Sequence, residues 1–176
     1  MARIQVSKAE MLKRTAFFKD LKPSKQGYVD TRIPEHERDT YNVIGRGVTE
    51  DPSLAPAITA AEGFNITYIG AEPGKGAALH DHPTVEVFVI LTGKWAVYWG
   101  EEGENEIDVG PFDVVSLPVG VMRGFRNTGD DHAFLMAILG GDDSGYVDWS
   151  PSVLEKARNT GLDLGTDGNI VEKGIK

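Results

Sequence analysis

The sequence predicts an all-β domain, either a sandwich or a small barrel, with a short helix on each side of it. Between residues 63 and 140, short apolar runs alternate with turn residues, and glycines recur about every eight to twelve residues. No helical spacing interrupts this region. Short strands joined by regular turns are typical of antiparallel sandwiches and barrels. Periodicity alone does not choose between a jelly roll, a lipocalin-like barrel and an immunoglobulin-like sandwich.

The first part of the chain, residues 1–62, is predicted to be a helix followed by an extended arm. Residues 7–10 form a capping box, so a helix is expected to start at Lys8 and to end before Pro23. The remainder is rich in proline and has little periodicity, apart from a pattern typical of an edge strand at residues 41–44. Such an arm would be unstable alone, so we expect it to pack on the barrel or on a partner subunit.

The predicted strands of the central region, residues 63–142, are alternating apolar runs bounded by turn residues. The second strand lies in the run from Gly74 to Gly93, which carries two of the four histidines of the chain. After Glu86 this run is apolar on both parities, so a second layer, the arm or a partner is expected to cover both faces. The strands are expected at residues 64–68, within 74–93, and at residues 95–99, 114–117, 123–127 and 134–139.

An acidic stretch that follows residue 99 is predicted to be a solvated hairpin tip. A run of carboxylates could bind calcium, but the spacing of the acidic residues here is not that of an EF-hand loop. The acidic residues of this stretch are Glu101, Glu102, Glu104, Glu106 and Asp108.

The last part of the chain, residues 143–176, is predicted to be a helix and a weakly specified tail. Ser150 supplies an N-cap and Pro151 suits the first helical position. The helix carries apolar residues at helical spacing and is expected to stop at Gly161.

Composition excludes several classes of function. The formal net charge is −9, which argues against a nucleic-acid partner or an anionic membrane, because both are bound through lysine and arginine. The chain has no cysteine, so any metal must be held by nitrogen and oxygen donors. No apolar run approaches a membrane span, and the first twenty residues lack the apolar core of a signal peptide. These features predict a cytoplasmic protein.

The candidate site is the group formed by His80, His82 and Glu86. All three positions have the same parity, so on one continuous strand their side chains would point into the same space. Two neutral imidazoles and one carboxylate are the donor set of a facial triad, which holds a divalent metal and leaves other positions open. Because apolar residues of the same parity follow, this group is expected in a pocket rather than on a solvated face.

These residues resemble the cupin superfamily over roughly residues 63 to 140. The first cupin motif is matched at every position, and the second is matched in part, with Arg123 where the family has a histidine. The matching residues are Gly74, His80, His82, Glu86 and Gly93 in the first motif, and Gly110, Pro118, Gly120 and Asn127 in the second. The resemblance implies a double-stranded β-helix (jelly-roll) barrel with a metal in its mouth, and dimers are frequent in the family.

Carried onto this chain, the family pattern makes His80, His82 and Glu86 candidate metal ligands. Arg123 cannot be the fourth ligand, because a guanidinium has no lone pair to offer. In the first interpretation three ligands suffice, and the protein is a metalloenzyme of the cupin type, such as an iron(II) dioxygenase acting on an acidic or aromatic metabolite. Glu86 and Arg123 are then the candidate catalytic residues, with Arg123 orienting the acidic substrate. Manganese, nickel and zinc are the alternative metals.

In the second interpretation the pocket is metal-free. Arg123 replaces the positive charge of the metal by pairing with Glu86, which removes the penalty of a buried carboxylate. The protein would then bind a sugar or an organic acid as a sensor, or act as an isomerase that uses His80 or Glu86 as a base. The sequence does not identify the ligand in either case.

The remaining candidates receive simpler interpretations. His36 lies in a charged segment and His132 follows a turn, so both are predicted to be exposed. The long arm, the apolar strands and the family habit together predict a homodimer. Four residues near the pocket are interpreted as core, although they could line it: Phe88, Met122, Phe125 and Met136.

Overall fold

The protein is described by a computed structural model that covers residues 3–173. Within these residues, two five-stranded antiparallel sheets pack around one hydrophobic core, and a two-stranded hairpin lies near the C-terminal end. The strands are β1 Asp39–Ile44, β2 Phe64–Ala71, β3 Gly76–Asp81, β4 Glu86–Ile90, β5 Trp95–Trp99, β6 Asn105–Val109, β7 Val114–Leu117, β8 Arg123–Asn127, β9 Ala133–Gly140, β10 Asp148–Trp149, β11 Leu162–Leu164 and β12 Ile170–Glu172. The helices are α1 Lys8–Leu12 and α2 Pro151–Asn159, with 3-10 turns at Phe18–Asp20, Val29–Arg32 and Pro34–His36.

The strand order is that of a jelly roll. One sheet has the order β1-β2-β9-β4-β7 and the other β10-β3-β8-β5-β6, so the chain crosses repeatedly between the two sheets. The predicted all-β fold, a double-stranded β-helix barrel with short flanking helices at both ends, is therefore confirmed. The strands predicted at residues 95–99, 114–117 and 123–127 have the predicted bounds.

The run from Gly74 to Gly93 is not one strand, which corrects the prediction. The run contains two strands, β3 and β4, which belong to different sheets and are separated by a turn at residues 82–85. Pro83 explains the interruption, because it has no N–H to donate to a sheet. Parity along a continuous strand is therefore not what brings Glu86 towards the histidines.

Both glycines that bound this run have left-handed backbone conformations. The φ angle is 79° at Gly74 and 73° at Gly93, a region that side chains rarely adopt. At Gly93 a Cβ atom would also lie 2.4 Å from the Cβ of Ala133. The glycines of the first motif are thus required by the turns on either side of β3 and β4.

The first helix is shorter than predicted. Its capping box forms between Ser7 and Glu10, but the helix ends at Leu12 instead of continuing towards Pro23. None of its residues is buried, so it has no apolar face to extend, and the Thr15 hydroxyl donates to the Met11 carbonyl at 2.9 Å just beyond it.

The arm packs on the barrel of its own chain. Its predicted edge strand is confirmed as β1, which pairs with β2 at the edge of the first sheet. Nearer the N-terminus, the ring of Phe18 lies against the outer face of that sheet, with its centroid 5.4 Å from both Tyr41 and Phe134. The arm therefore adds both a strand and an aromatic contact to the barrel.

The C-terminal helix forms as predicted. Helix α2 begins at Pro151 after the N-cap Ser150, and Gly161 has a φ of 85° just after its end. The tail is more ordered than its sequence indicated, because β11 and β12 pair as a hairpin. The amide of Ile170 donates to the Glu50 carbonyl at 3.0 Å, which ties this hairpin to the arm.

The outer face of the first sheet is only partly covered, although the sequence predicted coverage of both faces of β4. Phe88 and Ile90 of β4 are buried in the core, whereas the outward side chains of Val87 and Val89 are half-buried. The neighbouring Val85 is 58% exposed.

No helix in the described part of the chain has the length and hydropathy needed to cross a bilayer.

Candidate metal centre

Three predicted ligands meet in the barrel. His80 lies near the end of β3, His82 follows that strand, and Glu86 is the first residue of β4. One potential ligand atom from each residue lies within 4.8 Å of the other two, and all three residues are buried. The prediction that these side chains form one inward-facing group is therefore confirmed, although they are brought together by two strands of facing sheets.

The turn between these strands is held by the last residue of β9 and by the loop that follows it. The Thr84 hydroxyl donates to the Ser144 carbonyl at 3.2 Å, and the amide of Gly140 donates to the Val85 carbonyl at 3.0 Å. These contacts fix the turn, and hence the distance between His82 and Glu86.

Each histidine has one ring nitrogen near a backbone carbonyl. His80 Nδ1 lies 2.7 Å from the Ala78 carbonyl, and His82 Nδ1 lies 3.4 Å from the Tyr146 carbonyl. A carbonyl accepts a hydrogen bond from Nδ1–H, so a neutral ring that carries its proton on Nδ1 has a free lone pair on Nε2. An Nε2 lone pair is the donor that a divalent metal requires.

The charge states within the group also suit a metal. Burial lowers the pKa of His80 well below its usual value, and the nearby charges of His82 and Arg123 lower it further, so this imidazole is neutral. Burial alone would raise the pKa of Glu86. The neighbouring His82 imidazole and the Arg123 charge outweigh burial and lower this pKa to about 2, so Glu86 is ionised at neutral pH.

Arg123 holds one side of the Glu86 carboxylate. It lies on β8 opposite His80 and is 1% exposed. Its Nε and Nη2 both donate to Glu86 Oε2, at 3.1 and 2.9 Å. Its Nη1 donates to Asp81 Oδ1 and, at 3.2 Å, to the Val121 carbonyl. The pairing of Arg123 with Glu86, which the metal-free interpretation predicted, is thus present.

The other oxygen of Glu86 has no such contact with Arg123. Oε1 lies 3.7 Å from His82 Nε2, on the side of the histidines. The carboxylate therefore stands between the guanidinium and the histidines, and Asp81 offsets the same positive charge from a second direction. This arrangement reduces the repulsion that a cation beside the histidines would experience from Arg123.

A small cavity adjoins the three residues. The volume of this cavity that is open to the centre of a water molecule is about 20 Å³. Its walls are mostly apolar, and Arg123 does not line it. The lining residues are Tyr28, Arg38, Val48, Thr67, Ile69, Ala77, His80, His82, Glu86, Phe125, Ala137, Leu139, Val147 and Trp149.

Segments outside residues 63–142 close this cavity. The Trp149 ring lies 5.3 Å from the His80 ring and 6.4 Å from that of Tyr28, measured between centroids. Glu50 accepts hydrogen bonds at 2.6 Å from both Trp149 Nε1 and the Val29 amide. Burial raises the pKa of Glu50 to about 7, although these hydrogen bonds oppose the increase. Sequence reasoning missed Tyr28, Glu50 and Trp149, since no motif or spacing links them to the histidines.

The other histidines lie outside the cavity. His132 is exposed as predicted, with Nε2 3.8 Å from Asp39 Oδ2. The prediction for His36 is wrong, because this residue is half-buried beside the Asp30 and Arg38 charges, and burial lowers its pKa. Its position in a charged segment concealed the contact with the barrel.

The residues interpreted as core fall into two groups. Phe88 and Phe125 are core residues, with ring centroids 5.1 Å apart, and Phe125 also forms part of the cavity wall. Met122 and Met136 are half-buried and do not line the cavity. Lastly, the acidic stretch after β5 is exposed as predicted, but Glu106 and Asp108 lie on β6 and only the residues before that strand form the hairpin tip.

Comparison with known proteins identifies the same part of the chain. Residues 68–139 match a family model described as the cupin domain. A germin-like protein of Arabidopsis thaliana, subfamily 1 member 2, is 27% identical over 118 residues, which cover 62% of this chain and 50% of the relative.

Solved structures share the fold. The polyketide cyclase RemF from Streptomyces resistomycificus aligns with a TM-score of 0.56 at 14% identity, over 83% of this chain and 96% of the cyclase. The DMSP lyase DddQ from Ruegeria pomeroyi aligns with a TM-score of 0.50 at 23% identity, over 63% of this chain and 50% of the lyase. The chain thus spans about half the length of the germin-like relative and of the lyase.

Proposed function

Because residues 68–139 form a domain of the cupin superfamily, we propose that this protein is a metal-dependent enzyme that acts on a small molecule. The observation that carries the proposal is the free Oε1 of Glu86. Arg123 binds Oε2, while Oε1 remains beside His82 in a buried group whose donor atoms lie within 4.8 Å of one another. A carboxylate used only to neutralise an arginine would not need two histidines on its other side.

The donor set fits a divalent first-row metal. His80 and His82 would each provide an Nε2 lone pair, and Glu86 would provide one carboxylate oxygen. A metal held there would supply Lewis-acid or redox chemistry. Two histidines and a carboxylate are the ligands of many non-haem iron(II) enzymes, so we favour iron and, as the finer proposal, a dioxygenase acting on an acidic or aromatic metabolite. Manganese, nickel and zinc remain alternatives.

The residues around the metal ligands have distinct roles in this proposal. Arg123 positions Glu86, since its N–H groups are engaged with Glu86, Asp81 and the Val121 carbonyl. The substrate contact predicted for Arg123 stays a prediction, as does the role of Glu86 in proton transfer. The apolar wall limits the water that reaches the site, and the small cavity favours a small ligand or a small group of a larger one.

The fold relatives support an enzyme of small molecules without choosing the reaction. The lyase and the cyclase that share this fold have names that denote different chemistries. Function depends on the residues grafted on the fold, so neither activity is transferred to this chain. A cytoplasmic location likewise stays a prediction.

One observation favours a second candidate, a metal-free cupin that binds a sugar or organic acid or acts as an isomerase. Arg123 already supplies Glu86 with a positive partner at 2.9 Å, so the carboxylate is not left unpaired when no metal is bound.

Metal analysis separates the two candidates. The purified protein would be incubated in turn with iron(II), manganese, nickel and zinc, passed through a desalting column and analysed for metal. We expect about one equivalent per chain, a large loss in His82→Ala and Glu86→Ala, and full retention in the control His132→Ala. If the native protein and an Arg123→His variant both remain metal-free, the metalloenzyme proposal fails. Oxygen consumption by the iron form across acidic and aromatic substrates would test the dioxygenase proposal.

We also propose that the protein is a homodimer. The outer face of the first sheet supports this, because Val85 and Val114 are 58% and 62% exposed beside the half-buried Val87 and Val89. A second copy packed on this face would cover the strand that the sequence predicts to be buried on both sides. A sedimentation mass of a single chain at micromolar concentration would contradict the dimer.

A further inference from the structure

Tyr28 reaches the metal-site cavity from outside the barrel. It belongs to the arm, immediately before the 3-10 turn Val29–Arg32, and is 7% exposed. Its side chain lines the same small cavity as His80, His82 and Glu86. The arm therefore adds a phenol to a site whose candidate metal ligands come from the barrel.

The ring of Tyr28 is fixed by two contacts. Its edge-to-face contact with Trp149 has a centroid distance of 6.4 Å, and the guanidinium of Arg38 lies 4.8 Å from its centroid. Arg38 is itself buried and held by Asp30, with two nitrogen to oxygen distances of 2.9 Å. A ring held in this way keeps its hydroxyl in a defined position beside the cavity.

The Tyr28 hydroxyl has no hydrogen-bond partner within residues 3–173. The hydroxyl of Tyr98, another largely buried tyrosine in this barrel, donates to the Ala77 carbonyl at 2.5 Å. The oxygen of this hydroxyl is not fully enclosed, so a molecule that enters the cavity can reach it and accept a hydrogen bond from it.

The phenol is a donor at neutral pH. Burial raises the pKa of Tyr28, and the carboxylates Glu50, Glu86 and Asp30 raise it further against the opposing charge of Arg38.

We propose that the Tyr28 hydroxyl donates a hydrogen bond to an oxygen of a small carboxylate bound in the cavity. The inference rests on the proposed metal site. Arg38 and Arg123 face three carboxylates, those of Asp30, Asp81 and Glu86, so a bound divalent cation would leave these groups with one net positive charge. A carboxylate supplies both the missing negative charge and the missing acceptor. Tyr28 is thus a specificity-determining residue and takes the ligand-orienting role that the sequence predicted for Arg123.

The test uses acetate as the probe and acetamide as its neutral counterpart. Full-length protein, both metal-free and loaded with cobalt(II), would be titrated with each by calorimetry. Tyr28→Phe removes only the hydroxyl and keeps the ring, and Tyr98→Phe is the matched control. We expect acetate to bind the cobalt form more tightly than acetamide, and Tyr28→Phe to weaken acetate binding about tenfold or more. Cobalt affinity should be unchanged in both variants.

The possible failures are distinguishable. Equal acetate affinities in the native protein and Tyr28→Phe, or no acetate binding in any form, overturn the role of Tyr28 even when cobalt binds normally. Absence of cobalt binding overturns the metal site. The carboxylate proposal then survives only if the metal-free protein binds acetate and Tyr28→Phe weakens that binding. If Tyr28→Phe is misfolded, the native protein still gives an answer. Acetate should shift a tyrosine 13Cζ resonance that persists in Tyr98→Phe, and no shift overturns the proposal.

Discussion

The two buried arginines beside β3 form similar ion pairs with different consequences. Arg123 is 1% exposed and binds Glu86, and Arg38 is 5% exposed and binds Asp30. Only one oxygen of Glu86 is used by Arg123, and the other lies near His82. Both oxygens of Asp30 face Arg38, and Oδ2 also accepts the Ala78 amide at 3.0 Å.

The difference separates two roles of a buried ion pair. One pair supports a candidate metal site, and the other is a structural link between the arm and the barrel, here called a tether. Both oxygens of Asp30 lie 2.9 Å from a nitrogen of Arg38, and this pair fastens the arm to β3 two residues before His80. Glu86 keeps Oε1 beside His82, so its pair with Arg123 leaves a donor for a metal. The residue types alone do not distinguish the pairs, whereas the histidines beside the second oxygen of Glu86 do.

The largest expected effect comes from breaking the tether. Asp30→Ala would leave the Arg38 charge buried without a partner and would remove the acceptor of the Ala78 amide. Loss of one member of a buried pair costs about 3 to 5 kcal/mol, so we expect a reduction of that size in the free energy of unfolding, measured by urea denaturation.

The control for this variant is Glu106→Ala. Glu106 pairs with Arg126 at 2.6 Å, but both side chains are about 40% exposed, so its loss should cost less than about 1 kcal/mol. If Asp30→Ala is no more destabilising than this control, the Asp30 pair is not a tether.

The barrel strands β2, β5, β7, β8 and β9 were predictable because each is encoded locally, whereas β6 was interpreted as an acidic loop. Alternation within five residues predicts β5 and β8, and the turn glycines mark their ends. The group of His80, His82 and Glu86 was predictable because its motif is short and local in the sequence. That reason is less secure, since two strands of different sheets bring the three side chains together. The assignment of this group to a single strand was wrong because Pro83 divides the run.

The closure of the cavity was not predictable from the sequence. Tyr28, Glu50 and Trp149 come from segments far apart in the chain, and their contacts depend on how the arm and the C-terminal segment pack on the barrel. None of these residues has a spacing that relates it to the histidines. The half-buried state of His36 was missed for the same reason, because local charge indicated solvent.

Glu50 is a third buried carboxylate and differs from Glu86 and Asp30, because hydrogen bonds hold it without an ion pair to an arginine. Its pKa is raised from 4.5 to about 7, so the folded state binds a proton more tightly than the unfolded state. Its contribution to stability is therefore full below about pH 4.5, is lost as the pH rises to about 7, and is constant above that. The expected loss is about 3 kcal/mol over this window.

Glu50→Gln removes the titration and keeps an acceptor for one of the two donors. We expect the difference in free energy of unfolding between the native protein and this variant to change across pH 4.5 to 7, in favour of the variant as the pH rises. Urea denaturation at several pH values measures this difference in the free energy of unfolding. The control is Glu62→Gln, because the Glu62 side chain is 68% exposed. A difference that does not vary with pH would show that Glu50 titrates normally.

The smallest expected effect tests whether Arg123 positions Glu86 for the metal. Arg123→Lys keeps the positive charge but cannot place two N–H donors on Oε2, so Glu86 should lose its fixed orientation. Loss of such an outer contact lowers metal affinity about tenfold or more, equivalent to about 1.4 kcal/mol. Competition with a chromophoric chelator would measure the affinity for cobalt(II). Arg126→Lys is the matched control, because Arg126 lies on the same strand but binds the exposed Glu106. If both variants hold cobalt as tightly as the native protein, the Arg123 pair resembles the Arg38 tether more than a metal-site contact.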